Sequence, residues 1–178
     1  MLNAVLKRFF APDTQQENAH NAYLALVAQA RRPEFFERWA VPDTLDGRFD
    51  VIVLHLFMLV HVLRANGSPE ALEFARLVSE TFFSDMDRSL REMGSTDTGT
   101  GMRVKKMAQA FYGRVQAYSE GLAAGQLAPA LQKNLYRGAE VDEATLKEVA
   151  GYVQKHLSHL QTNGQAEEIL KGKVVFGA

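Results

Sequence analysis

The sequence predicts an all-α protein, a single globular domain of seven or eight helices around one core. Three observations carry this. The chain has 178 residues, a length at which one core buries roughly 70% of the unfolded surface. Apolar residues recur at spacings of three and four along most of it, and no window alternates with period two between hairpin dipeptides. Proline, glycine and Asn-Gly punctuation then cuts the periodic stretches into helix-sized pieces.

In chain order, Thr14 with Glu17 three residues later reads as a capping box, and Leu24, Val27 and Ala28 continue a first helix until Arg31 and Arg32 meet Pro33. Pro33 opens a short helix over Glu34 to Trp39, and Ala40 to Leu45 is an extended connection because Val41 precedes Pro42. Asp46 is the expected cap of the next helix, about Gly47 to Ala65. Between Phe49 and Leu63 it holds 12 apolar residues in 15, interrupted by Asp50, His55 and His61. That run falls short of the roughly 20 residues that span a bilayer and reads as the central helix of the bundle. Asn66-Gly67 stops it. Ser68-Pro69-Glu70 starts another with a cap, a first-turn proline and an acid at the positive dipole end. Leu72, Ala75, Val78, Phe82, Met86, Leu90 and Met93 form its core face. Residues Gly94 to Gly101, GSTDTGTG, contain nothing apolar and are expected to be a flexible loop. A long helix follows on Val104, Met107, Ala108, Phe111, Val115, Tyr118 and Leu122, ending near Gly121 to Gly125. Shorter helices are expected at about Pro129 to Tyr136, Asp142 to Leu160 and Gln165 to Lys171, with Asn163-Gly164 as a stop.

Composition excludes several classes. Hydrophobic residues at 47% and charged residues at 23% rule out a disordered or low-complexity chain. With 20 Lys and Arg against 21 Asp and Glu, the net charge of −1 gives no global attraction for DNA, RNA or anionic lipid, so such contacts need a local patch. The absence of cysteine excludes disulfides, Cys-ligated zinc, iron–sulfur clusters and thiol catalysis, and agrees with a reducing cytoplasm. In the N-terminal MLNAVLKRFF the basic pair follows the apolar stretch, which is too short for a signal-peptide core, so export is not expected.

Catalytic machinery is not visible. Only one Glu-x-x-His pair, Glu17 and His20, is present where a diiron site needs two. His156 and His159 share a helix face without an obvious third ligand, and His55 and His61 lie about 240° apart around their helix. Hydrogen-bonded histidines within the bundle are the simpler reading. Asp85 and Asp87 diverge by about 200°, which excludes a paired-aspartate magnesium site of the prenyl-diphosphate kind. They pair better with Arg88 and Arg91, and Arg88 with Glu92, in a ladder that is either a solvated face or a partner surface. GSTDTGTG lacks a P-loop lysine and a preceding strand. No metal, cofactor or catalytic residue is therefore expected. Two features remain: the basic segment Arg103, Lys105, Lys106 and Arg114, either solvated or an anionic contact, and a stripe of small residues, Ala110, Gly113, Ala117 and Gly121. Such a stripe admits close approach of a helix, the expected one at Gly113 being internal.

Three segments, WAVPDTLDGRFD (Trp39 to Asp50), FFSDMDRSLREMG (Phe82 to Gly94) and VKKMAQAFYGRVQAY (Val104 to Tyr118), occur in an order that resembles the ubiquinol-cytochrome c chaperone family. The resemblance covers a family-like core of about 35–122 within a single all-α chaperone domain, 1–178; elsewhere the match is only helical. It departs in the polar Ser95 to Gly101, where members commonly carry apolar residues and a proline. The resemblance implies an assembly chaperone for the cytochrome bc1 complex that binds newly made cytochrome b, with a ribosome contact, a small partner protein and peripheral contact with the inner membrane. A chain without a targeting extension looks like the bacterial, cytoplasmic form. The motifs nominate partner-binding residues: Asp43, Leu45 and Asp46 from the first, Phe82, Phe83, Asp85, Asp87, Arg88 and Arg91 from the second, and Lys105, Lys106, Tyr112, Arg114 and Tyr118 from the third. Exposed Phe82, Phe83, Tyr112 and Tyr118 beside the ladder are the expected client surface. The alternatives are a carrier or enzyme of a small lipophile such as a quinone or prenyl chain, which needs an enclosed apolar cavity, and a ribosome- or RNA-binding module.

Overall fold

The computed structural model describes residues 14–94, 97–162 and 165–177. The N-terminal decapeptide and the Asn163-Gly164 stop lie outside the described residues. Among those described, eight helices and no strand are present: α1 (Thr14–Ala30), α2 (Glu34–Glu37), α3 (Leu45–Asn66), α4 (Pro69–Glu92), α5 (Asp97–Ala123), α6 (Leu127–Asn134), α7 (Glu143–Leu160) and α8 (Gln165–Leu170).

Helix α3 is the hub, packed by α1, α4, α5 and α7. Its apolar residues cover nearly the whole circumference, and the run from Val53 to Val60 is buried without a break. At 22 residues it is long and apolar enough to cross a membrane, yet it is mostly buried inside the protein. Helix α6 bridges α5 and α7, and α8 rests on α1, α4 and α7.

The helix ends follow local chemistry. Gly67 closes α3 at φ 72°, and Ser68 caps α4, its side chain accepting from Ala71 N at 3.1 Å. Asp142 caps α7 through Thr145 N at 2.8 Å. The cap of α3 is Thr44, not Asp46: Thr44 is extended and its Oγ1 accepts from Gly47 N at 3.1 Å, leaving Asp46 inside the first turn. Only glycine fits three residues on, since a Cβ at Gly47 would lie 1.9 Å from the Pro42 carbonyl oxygen. Most of GSTDTGTG is helix rather than loop. The chain reverses at Gly94 (φ 83°) and α5 begins at Asp97. Glycine at 99 and 101 costs about 1 kcal/mol each relative to alanine, and the helix as a whole is held by tertiary packing against α3, α4 and α6.

Some core assignments shift by one position. Leu24, Ala28, Leu72 and Met93 are exposed, while Ala22, Tyr23, Leu26, Ala71 and Phe74 are buried. His55 is fully buried. Its Nδ1 lies 2.8 Å from the Val51 carbonyl and so donates, which leaves Nε2 to accept from the Tyr152 hydroxyl at 2.7 Å; that oxygen accepts in turn from Gln29 Nε2 at 3.0 Å. His156 is buried against Tyr152 and Phe176. The small-residue stripe is not one interface. A Cβ at Gly113 would meet nothing within 4 Å, so no internal helix approaches it, whereas a Cβ at Gly121 would meet Gln126 O at 3.0 Å and Ala130 Cβ at 3.1 Å, where α6 folds back.

Candidate cleft at the ends of four helices

The first turns of α3, the last turns of α4, the first half of α5 and the C-terminal end of α1 meet around an open cleft of about 810 Å³. Thr44 and Gly47 fix where α3 enters, and the turn at Gly94 brings α5 back beside α4. The apolar floor is Phe49, Ile52, Met86, Leu90 and Met107, and exposed Leu45 and Met93 stand at the mouth. Arg31, Arg48, Arg103, Lys106 and Arg137 supply cations around it, against two carboxylates, Asp46 and Asp85.

One wall is held by a buried charge. Asp50, fully buried in α3, has Oδ1 2.8 Å from Arg114 Nη2 of α5, and its Oδ2 accepts from Arg137 Nε at 2.6 Å. Arg114 also donates to the carbonyls of Asn134 and Ala110, both at 3.3 Å, and Arg137 reaches Asp46 at 2.8 Å. Burial pushes the Asp50 carboxyl above the usual carboxylate range, opposed by the hydrogen bond from Arg137 and the charge of Arg114. Two guanidiniums in contact keep it ionised at neutral pH. Arg137 holds its place with a backbone φ of 55°, a left-handed conformation that costs about 1–2 kcal/mol outside glycine. On the other side, the Tyr23 hydroxyl donates to Asp85 Oδ2 at 2.8 Å, and burial raises its pKa, with Asp85 adding to the shift.

The nominated residues divide into three groups. Leu45, Asp46, Asp85, Lys106 and Arg114 line the cleft, but Arg114 serves mainly as the partner of Asp50, its side chain only 13% exposed. Asp87 pairs with Arg91 at 2.7 Å and Arg88 with Asp85 on the adjacent α4 surface; Asp43 pairs with Arg48, and Lys105 is exposed. Phe82 and Tyr118 are fully buried and cannot meet a client. Phe82 packs on Tyr23, Phe49 and Phe111, and Tyr118 on Phe57. Of the expected aromatic surface only Tyr112, 55% exposed, and the partly buried Phe83 remain, beside a shallow depression of about 210 Å³ that includes Leu72. Phe49 and Met93 lie within the family motifs without being among the nominated partner residues, and the cleft residues Ile52, Arg31 and Arg137 lie outside the motifs. A signal for the cleft exists in the sequence: four of six methionines fall between residues 86 and 107.

No group of three or more His, Asp or Glu able to hold a metal occurs among the described residues. Fold and site together define an all-helical domain with an open, apolar, cation-rimmed cleft. More particularly, the chain belongs to the ubiquinol-cytochrome c chaperone family, whose model matches residues 37–176. The match runs well beyond residue 122, so α6 and α7 are part of the shared domain and not merely helical. The Xenopus laevis ubiquinol-cytochrome-c reductase complex assembly factor 1 is 28% identical over 156 residues, covering 86% of this chain and 78% of that protein. The Saccharomyces cerevisiae protein CBP3, mitochondrial, is 27% identical over 147 residues, covering 80% of this chain and 44% of that one. The crystal structure of the Cbp3 homolog from Brucella abortus superposes with a TM-score of 0.82 at 30% identity, covering 100% of this chain and 97% of that chain.

Proposed function

We propose that this protein is an assembly chaperone for the cytochrome bc1 complex that holds newly made cytochrome b by apolar and charged contacts at the cleft. Family membership supports the pathway, and the observation that carries the surface is the cleft itself, an apolar floor left open beside an otherwise closed core. A holder of an apolar client needs exposed, adaptable surface and no nucleophile, so the reading is a binding protein and not an enzyme. Its place is the cytoplasmic face of the inner membrane in a bacterial cell, with the ribosome and a small partner protein as further contacts. A quinone or prenyl carrier would enclose its ligand, whereas this cleft is bordered by exposed Leu45, Met93 and Arg31.

Deleting the gene tests the reading. The expected result is less assembled bc1 complex and less b-type haem absorbance, with unrelated oxidases unchanged. Capture from solubilised membranes should recover cytochrome b. Normal bc1 levels in the deletion strain would refute the assignment. The RNA-binding alternative predicts a steep loss of affinity with salt, through counterion release, that apolar client binding does not show.

A further inference from the structure

We infer that the cleft selects apolar helical segments carrying acidic residues at their ends, and discriminates against segments flanked by lysine or arginine. This deepens the client-holding reading and rests on it.

The charges at the mouth are not balanced. Arg31, Arg103 and Lys106 border the cleft and form no ion pair among the described residues. The two rim carboxylates are already engaged, Asp46 with Arg137 and Asp85 with both Tyr23 and Arg88. Among the described residues, an occupant therefore meets unpaired positive charge and no unpaired negative charge. The cations also come from separate elements, Arg31 from the end of α1 and Arg103 and Lys106 from α5. Cations from two helices bordering an apolar floor suit acidic groups carried by an apolar peptide.

The apolar part of the cleft suits side chains of varied shape. Met86, Met93 and Met107 line it. Met102, 61% exposed, lies one helical turn before Lys106 on the same face of α5. Unbranched thioether side chains repack around irregular apolar partners, which is how grooves that accept amphipathic helices work. The combination of methionine floor and cationic rim complements an apolar helix with acidic ends. Transmembrane segments flanked by Lys and Arg, the usual cytoplasmic signature, meet like charge here. The cleft is in this way a filter on which part of a membrane-protein client is held.

Two synthetic peptides test this against the full chain, each a roughly 16-residue leucine–alanine–glutamine helix of about 24 Å, one with two glutamates at each end and its twin with lysines. Fluorescence anisotropy at low salt should show the glutamate peptide binding about tenfold more tightly, the discrimination that two or three partly exposed ion pairs supply, and the gap should narrow as salt rises. Arg103→Glu with Lys106→Glu, both at exposed positions, should keep its melting temperature and reverse the preference. Met93→Ser with Met102→Ser should weaken both peptides alike. Equal affinities, a preference unmoved by the charge reversal, or no effect of the methionine changes would each overturn the inference. So would binding to phosphatidylglycerol vesicles that depends on Arg103 and Lys106 while neither peptide binds. Capture of cytochrome b without any charge preference would refute this inference alone, whereas normal bc1 assembly in the deletion strain would remove the reading beneath it.

Discussion

Replacing Asp50 by alanine should destabilise the protein by about 3–5 kcal/mol, a large effect for one side chain on the rim-forming turn of α3. The carboxylate is fully buried, and so nearly is its partner Arg114. Removing the anion leaves a guanidinium out of water with only two carbonyls at 3.3 Å to receive it, and stranding one member of a buried pair costs about that much. Each kcal/mol lowers the melting temperature of a chain this size by about 2–4 °C, so the expected drop is roughly 6–20 °C. Arg137 provides the internal control. Its side chain is nearly half exposed, so Arg137→Ala lets water reach the vacated position while Asp50 keeps Arg114, and it should cost about 1–3 kcal/mol, less than Asp50→Ala. Arg137→Gly loses the same pair but relaxes the φ of 55°, and should be about 1 kcal/mol more stable than the alanine variant. Thermal melts followed by circular dichroism, with urea titrations to confirm an unchanged m-value, measure all three. An Asp50→Ala protein within about 1 kcal/mol of the parent would refute the buried pair as the brace of the cleft wall.

Arg88→Glu with Arg91→Glu should change stability by less than about 1 kcal/mol, because both ion pairs are largely solvated; a larger loss in the same melts would make the ladder structural. Gly113→Ala should stabilise the protein by up to about 1 kcal/mol, since the position is exposed, helical and clear of neighbours, whereas Gly121→Leu should cost about 1–3 kcal/mol by overpacking the α5–α6 contact. Equal melting temperatures for those two variants would contradict the difference in packing. Burial lowers the pKa of His156 to about 4 and of His55 to about 3. Below pH 6.5 the unfolded chain therefore takes up protons that the native state refuses. Their stabilising contribution is full above about pH 6.5 and falls by about 1.4 kcal/mol per unit per histidine as the pH drops toward 4. Calorimetry at pH 7 and pH 5 reads this, and an unchanged melting temperature would refute it.

Helix ends are the features most legible in the sequence. Ser68-Pro69-Glu70 and Asn66-Gly67 act through neighbours within four residues, so their chemistry is complete in the string. Thr44 and Asp46 are both competent caps, and what separates them is the carbonyl of Pro42 over Gly47 and the reach of Arg137 from 91 residues away. The start of α5 is hidden for a related reason. Glycine-rich composition argues for a loop, and the helix there depends on the packing of α5 against α3, α4 and α6, which the local string does not carry. Phe82 falls on the helical stripe of α4 that predicts core, and the same spacing cannot also offer it to a client. The family motifs lead to part of the cleft, Leu45, Asp46, Asp85 and Lys106. The floor is assembled from residues 49–52, 86–93 and 107, whose meeting depends on packing angles that no local pattern encodes.

The central position of α3 carries a cost in time. Translation completes Asn66 well before the helices that will cover it, and α7 ends only at Leu160, about 94 residues later. At about 5–20 residues per second, a segment apolar enough to lodge in a lipid bilayer stays incompletely sheathed for roughly 5–20 s. When Asn66 is added, only α1 and the short α2, whose Phe35 packs on His55, are already made to cover it. A protein read as guarding another's membrane helices thus passes through its own synthesis with a long apolar helix of its own exposed until α4 and α5 close over it.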